Sequence, residues 1–294
     1  MTADTDSLRR HKVTVHTRLL RSDHRRAGPG SVTWKLNREV IVVASWGRAI
    51  LLQLAHPAVA AGIHGHSAFR GSLRSSFRRL ESTIEAMLAL TFGDTDQMVT
   101  AAAKINVMHD RVRGCSRAEG GQEYSAHDPA LQRWVYATMI ESIPLTYERF
   151  VGPLTMRERD QYCVEAASME PLLGMPDHWL PRDSTQLDTY MREMLAGGTL
   201  VVTDTGRALA RAVLYPPRWY LAWPAFRALQ VLTIGTLPSS LREAYGFEWR
   251  ARDVRSLARW TSGLRLLLRL LPRMVREWPL ARRAGHHEAG GWLG

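Results

Sequence analysis

Lysine is nearly missing from this chain. Lys12, Lys35 and Lys104 are the only three, and arginine supplies the rest of the fixed positive charge. The formal charge is still +11, a balance that invites nucleic acid or an anionic membrane as partner. The arginines are dispersed, however, with local density only at the two ends. A chain so biased to Arg, Ala and Gly reads as the product of a GC-rich genome, and nucleic acid is not the expected partner. Cysteine is scarce too: Cys115 and Cys163 stand far apart with no CxxC. That excludes a disulfide framework and a thiolate zinc site and points to a reducing compartment.

Long apolar runs are also few. Arg9-Arg10 is followed by no uninterrupted apolar segment, so no export signal is read and a cytoplasmic location is expected. Val40 to Ile63 is long enough to span a bilayer, but Arg48, Gln53 and His56 interrupt it. Each is expensive in lipid, so a buried or half-buried helix is expected instead. Several catalytic signatures are missing. There is no GxGxxG and no Walker lysine loop. Phe69 stands where a GxSxG elbow needs its last glycine. HExxH, Glu-x-x-His and zinc-finger spacings do not occur.

Helical periodicity is what the chain does have. The basic segment 1–30, ending in Gly28-Pro29-Gly30, reads as a flexible arm, and 281–294 as a flexible tail. Between them, 31–280 reads as one all-α domain of roughly eight to ten helices. A first helix is expected from Asn37 to about Gly62, with His56-Pro57 as a kink or end. A second runs from Ser72 to Thr91. A third runs from about Asp96 to Arg113 with Gly114 at its C′ position. Gly120 to Ser125 reads as a loop. Asp128-Pro129 is an N-cap followed by an N1 proline, and Pro144 should kink or end that helix. Thr155 to Glu158 is a capping box, Asp183 or Ser184 caps a later helix and Asp204 another. An Arg/Leu helix closes the domain, from about Asp253 to Leu271.

The remaining chemistry is histidine: His56, His64, His66, His109 and His127. In the segment KINVMHDRVRG, Ile105, Met108 and Val112 extend an apolar stripe begun by Met98, Ala101 and Ala102. His109 lies four residues after Ile105 and borders that stripe. Such an imidazole is either a hydrogen-bonded core residue or a metal ligand. One histidine among apolar helices suffices to hold an iron porphyrin.

Taken in order, QLAHPAVAAGIHGHSAF, RRLESTIEAMLALTFGD, MHDRVRG, YSAHDPALQRWVYAT, GPLTMRERDQY and LPSSLREAYGFEW resemble the rubber-oxygenase and MpaB-type oxygenase family, over about Trp34 to Trp249. The resemblance implies a globin-like helical core holding haem b (iron), with His109 in the place of the proximal ligand. It implies a polar pair on the other face from an Arg-x-x-Lys-Thr pattern. Arg79 and Thr83 match that pattern, at i, i+4 on one helix face, while Ser82 replaces the lysine. Arg79 would meet a propionate or oxygen, with Thr83 beside it, and His66, Tyr124 and His127 would line the cofactor site. Each has a plainer reading: His66 braces a loop, Tyr124 packs in the core, and His127 precedes a helix cap or ligates a metal itself.

The function so implied is a haem-dependent oxygenase acting on an apolar, unsaturated or isoprenoid-like small molecule with molecular oxygen, with room for a separate electron donor. The absent lysine and absent export signal argue for a diffusible substrate over an extracellular polymer. Two rivals stand beside it. One is a non-catalytic helical protein using its basic ends to hold nucleic acid or anionic lipid, with peripheral membrane contact through the Arg/Leu helix. The other is a family member in which His109 and other histidines hold a non-haem metal.

Overall fold

The computed structural model describes residues 2–22, 27–66, 73–116, 122–215 and 223–290, without the side chains at 2–3, 66, 73–81, 116, 122, 223–226 and 285–290. Those residues are all-α apart from one hairpin. They form sixteen helical segments and a 3-10 turn at Val40–Val43, more pieces than periodicity alone indicates because expected single helices are divided. The expected helix from Asn37 to Gly62 becomes α2 (Val32–Asn37), the 3-10 turn, α3 (Ala44–Leu54) and α4 (Pro57–His66). The axis turns by 107° between the segments either side of His56-Pro57, because proline cannot donate into the preceding turn and disfavours helical backbone before it. No single helix among the described residues is long and apolar enough to cross a membrane. Leu51, Leu52 and Leu54 of α3 are fully buried, each contributing about 1.5–3 kcal/mol.

Local capping chemistry sets most remaining boundaries. α5 (Leu73–Phe92) stops at Gly93, and Asp94 caps α6 (Thr95–Arg111) with a reciprocal box. Asp94 accepts the Gln97 N–H at 2.8 Å while Gln97 Oε1 accepts the Asp94 N–H at 3.0 Å. After α6 the loop reading fails. Residues Arg113–Ser116 (β1) and Gln122–Ser125 (β2) pair antiparallel, with Gly114 opposite Tyr124. Gly114 is therefore a strand residue, and Val112 is the helix C-cap. A Cβ at Gly114 would stand 2.7 Å from the Tyr124 hydroxyl, so any larger residue would displace the Tyr124 ring.

α7 (Pro129–Phe150) begins as expected, with Asp128 Oδ1 accepting the Ala130 N–H at 2.8 Å. Pro144 does not end it: the helix runs on for another six residues, the proline buried on its inner side. Packing holds both halves, with α3 lying along α7. The Thr155–Glu158 box opens α8 (Met156–Ala167). The short α9 (Glu170–Leu173) follows, then Asp183 caps α10 (Ser184–Ala196). Thr203 and not Asp204 caps α11 (Asp204–Leu214). Next come α12 (Trp223–Thr236), α13 (Ser239–Ala244) and α14 (Ala251–Leu270), which is the expected Arg/Leu helix.

The ends depart from the expected arm and tail. Thr2–Leu20 is a helix, α1, packed along α6 and α9 with Val15 fully buried. At the other end α15 (Arg273–Arg276) and α16 (Pro279–Gly290) fold back. The Trp278 N–H donates to the Arg38 carbonyl at 2.9 Å, Arg276 pairs with buried Glu39 at 3.0 Å, and Ala281 and Trp278 join Trp34 and Phe92 in a separate apolar cluster. Buried apolar side chains inside each basic segment outweigh its average polarity. Residues 291–294 lie outside the described residues.

Between these ends, α3, α7 and α12 are locked by one ion pair. The Arg48 guanidinium grips both Glu141 oxygens, donates to Ser142 Oγ at 2.9 Å and reaches the Thr236 carbonyl at 2.9 Å.

Candidate functional site

His109 sits in the last turn of α6. The buried side of this helix is Met98, Ala101 and Ala102, continued by half-buried Ile105. Its next member is His109, not Met108, which is 57% exposed. The helical repeat places 98, 101/102, 105 and 109 on one line, so an imidazole occupies a place patterned for an apolar side chain.

Its Nδ1 is buried and has no hydrogen-bond partner. Among the described residues no carbonyl or carboxylate meets Nδ1. Burial, helped by neighbouring His127 and opposed by Asp110, lowers the His109 pKa to about 4. The ring is therefore neutral at physiological pH, the form in which imidazole ligates metals.

His127 precedes α7 and packs edge-on to His109 with centroids 5.7 Å apart. Its own contact is Asp110, 2.9 Å from Nε2 to Oδ1. The other Asp110 oxygen meets His11 Nε2 at 2.7 Å, so α1 is tied to the same corner. Burial works to raise the Asp110 carboxyl, yet the hydrogen bonds from His11 and His127 carry it below the usual range. Among the described residues no group of three His, Cys, Asp or Glu side chains is arranged to hold a metal ion.

Tyr124 joins this corner through the hairpin. The ring packs over Gly62 and Gly65 of α4, where an added Cβ would approach it to 3.5 Å and 2.9 Å. His56, at the α3–α4 bend, is also buried with an unpartnered Nδ1. Burial lowers its pKa, with Asp128 opposing. Ser82 and Thr83 are exposed on α5. The side chains of Arg79 and His66 lie outside the described residues, as does Trp219. The structure thus brings His109, His127 and Tyr124 to the C-terminal end of α6. The His11–Asp110–His127 link was not read from the sequence: His11 and Asp110 are remote in the chain and no motif joins them.

A helical protein with neutral imidazoles at helix ends, His109 half-buried and His56 buried, is the class that fold and site define. Comparison with known proteins gives the family. The family described as ER-bound oxygenase mpaB/B'/Rubber oxygenase, catalytic domain, matches residues 34–269, and the chain belongs to it. An uncharacterised protein of Mycobacterium bovis is 28% identical over 232 residues, 78% of this chain and 89% of the relative. An uncharacterised protein of Mycobacterium tuberculosis matches equally, 28% identical over the same shares. No solved structure matches. The family is an oxygenase catalytic domain, which supports an oxygenase function using oxygen and a substrate.

Proposed function

We propose that this chain is a haem b-dependent oxygenase of an apolar, unsaturated or isoprenoid-like small molecule, with His109 as the iron ligand. One observation carries the reading: a histidine in an apolar stripe is kept neutral, with a buried ring nitrogen that no group among the described residues satisfies. Leaving Nδ1 unpaired costs about 1–3 kcal/mol, a cost that a bond made at Nδ1 itself would remove. When bound, haem supplies an iron centre that can reduce and activate molecular oxygen. The protein's own part is simpler. His109 presents a lone pair. His127 packs on its ring, and Asp110 fixes His127 in turn. Arg79 and Thr83, one turn apart on α5, orient the polar groups opposite, Arg79 as a fork for a carboxylate and Thr83 as a hydroxyl donor. Tyr124 closes the α4 side, and His66 is proposed as a further cofactor-site residue. The proposed setting is cytoplasmic, with an electron donor as a separate partner.

The test is the ultraviolet–visible spectrum of protein expressed with adequate iron. A Soret band that disappears in His109→Ala is expected. Protein that stays colourless after haem addition overturns the reading.

A second reading concerns location. Leu266, Leu267, Leu270, Met274 and Val275 are 50% to 74% exposed, and Arg269 and Arg273 alternate with them. This mixed face suits peripheral contact with an anionic bilayer. Co-sedimentation with phosphatidylserine vesicles, lost on Leu270→Glu/Met274→Glu, tests it.

A further inference from the structure

A cavity of about 260 Å³ lies between α2, α5, α7 and α8, away from the hairpin corner. Its apolar wall includes Met87, Leu90 and Ile140. Six hydroxyl side chains line it as well; those of Ser31 and Ser168 donate to backbone carbonyls, while Thr33, Tyr136 and Tyr162 reach it from α2, α7 and α8. Thr33 Oγ1 is buried with no hydrogen-bond partner. Neither tyrosine hydroxyl is hydrogen-bonded among the described residues. A buried hydroxyl is normally paired, so the unpaired Thr33 Oγ1, beside two phenols that donate to no described group, leaves room for an acceptor in this apolar space.

The chemistry narrows the ligand. Burial raises both phenol pKa values, with Cys163 and Glu165 adding at Tyr162. Both phenols stay protonated and can donate. Glu165 also lines the cavity, but its carboxylate is committed. It accepts the Thr33 N–H at 2.6 Å, the Val32 N–H at 3.2 Å and Gln161 Nε2 at 3.1 Å. It caps the start of α2 and leaves negative charge beside the cavity, which disfavours an anion. The size matters too: a cavity of roughly 150 Å³ already holds benzene.

We propose that this cavity binds a neutral, largely apolar molecule of about ten to fifteen heavy atoms that carries one oxygen acceptor, with Tyr136, Tyr162 and Thr33 as its hydrogen-bonding partners. Its place suits a substrate. Met87 and Leu90 follow Thr83 at i+4 and i+7 on the same face of α5, roughly 6–11 Å along the axis. A molecule held here by its oxygenated end extends an apolar chain along that face. The inference deepens the oxygenase reading by naming its substrate class, while the binding itself requires no haem.

Equilibrium dialysis of the purified protein against nonanone, nonane and nonanoate tests it. Nonanone should bind about tenfold more tightly than nonane, and nonanoate more weakly than nonanone. Tyr136→Phe and Tyr162→Phe should each weaken nonanone about threefold to tenfold and leave nonane unchanged. Ala166→Phe, which fills the cavity, should abolish both. Equal affinity for ketone and alkane, preference for the carboxylate, or indifference to both Phe substitutions overturns the proposal. If Ala166→Phe fails to fold, the Phe variants, which remove one oxygen each, still decide. A Soret band without ketone selectivity sinks this inference alone; ketone selectivity in a protein that cannot take up haem sinks the oxygenase reading alone.

Discussion

Arg48 and His109 are both cationic-type side chains set into apolar surroundings, and the fold treats them in opposite ways. Around Arg48 two hydrogen bonds go to Glu141 and one each to Ser142 and Thr236. Burial pushes Glu141 up and Arg48 down, each towards its neutral form, and each partner's charge opposes that drift. His109 has one buried nitrogen with no partner, and burial has removed its charge. The first arrangement is complete within the protein and joins three helices. The second is incomplete within the protein, at the end of a helix and beside an exposed histidine. A satisfied buried group secures a fold; an unsatisfied one is a place to look for chemistry.

The largest expected effect would come from breaking the complete arrangement. Arg48→Leu leaves the Glu141 carboxylate buried without its counter-charge and should cost about 3–5 kcal/mol, read as a lower urea midpoint. The pair Arg48→Met/Glu141→Leu should recover most of that loss, because no charge remains buried. If the single and double variants lose equal stability, the ion pair is not what locks α3, α7 and α12 together.

The incomplete arrangement makes a prediction of the other kind, on haem-free protein. The folded His109 pKa of about 4 lies below its ordinary 6.5, so the unfolded chain takes up the proton first. Stability is therefore complete above about pH 6.5 and falls as pH drops towards 4, by roughly 3 kcal/mol at most. His109→Gln should flatten this dependence while leaving stability at pH 7 nearly unchanged. Equal acid sensitivity in both proteins would mean that the ring is not held neutral by burial.

Two smaller effects calibrate the comparison. The Tyr245 hydroxyl donates to the Leu51 carbonyl at 2.6 Å, so Tyr245→Phe should cost about 1 kcal/mol, visible as a small shift in thermal midpoint. Burial, with nearby Asp160, Asp183 and Asp188 adding to it, pushes the Cys163 thiol up to about 12, while Cys115 is exposed. A thiol reagent at neutral pH should titrate Cys115 in folded protein and reach Cys163 only in denaturant.

What the sequence made legible was local. The caps at Asp128, Thr155 and Asp183 are hydrogen bonds spanning two or three residues, and the helices start where those residues stand; the Asp94 cap was not read. His109 could be placed at the edge of an apolar stripe from spacing alone. Features that join distant residues were not legible. The hairpin sets Gly114 against the Tyr124 ring, and neither residue announces a strand. Pro144 broke no helix because tertiary packing carried the backbone past it. The cavity hydroxyls come from α2, α7 and α8, so no contiguous motif contains them. Charge averages misjudged both ends, where single buried residues such as Val15 and Ala281 decided the outcome.

The last of these has a practical edge. Trimming the polypeptide to residues 34–269, the matched span, would discard α1, α15 and α16 along with Val15, Trp278 and Ala281. It would strip one wall from α6, leave Asp110 without His11 and uncover Glu39. The homology boundary cuts through the folded body, and a truncated version should be less stable than the whole chain.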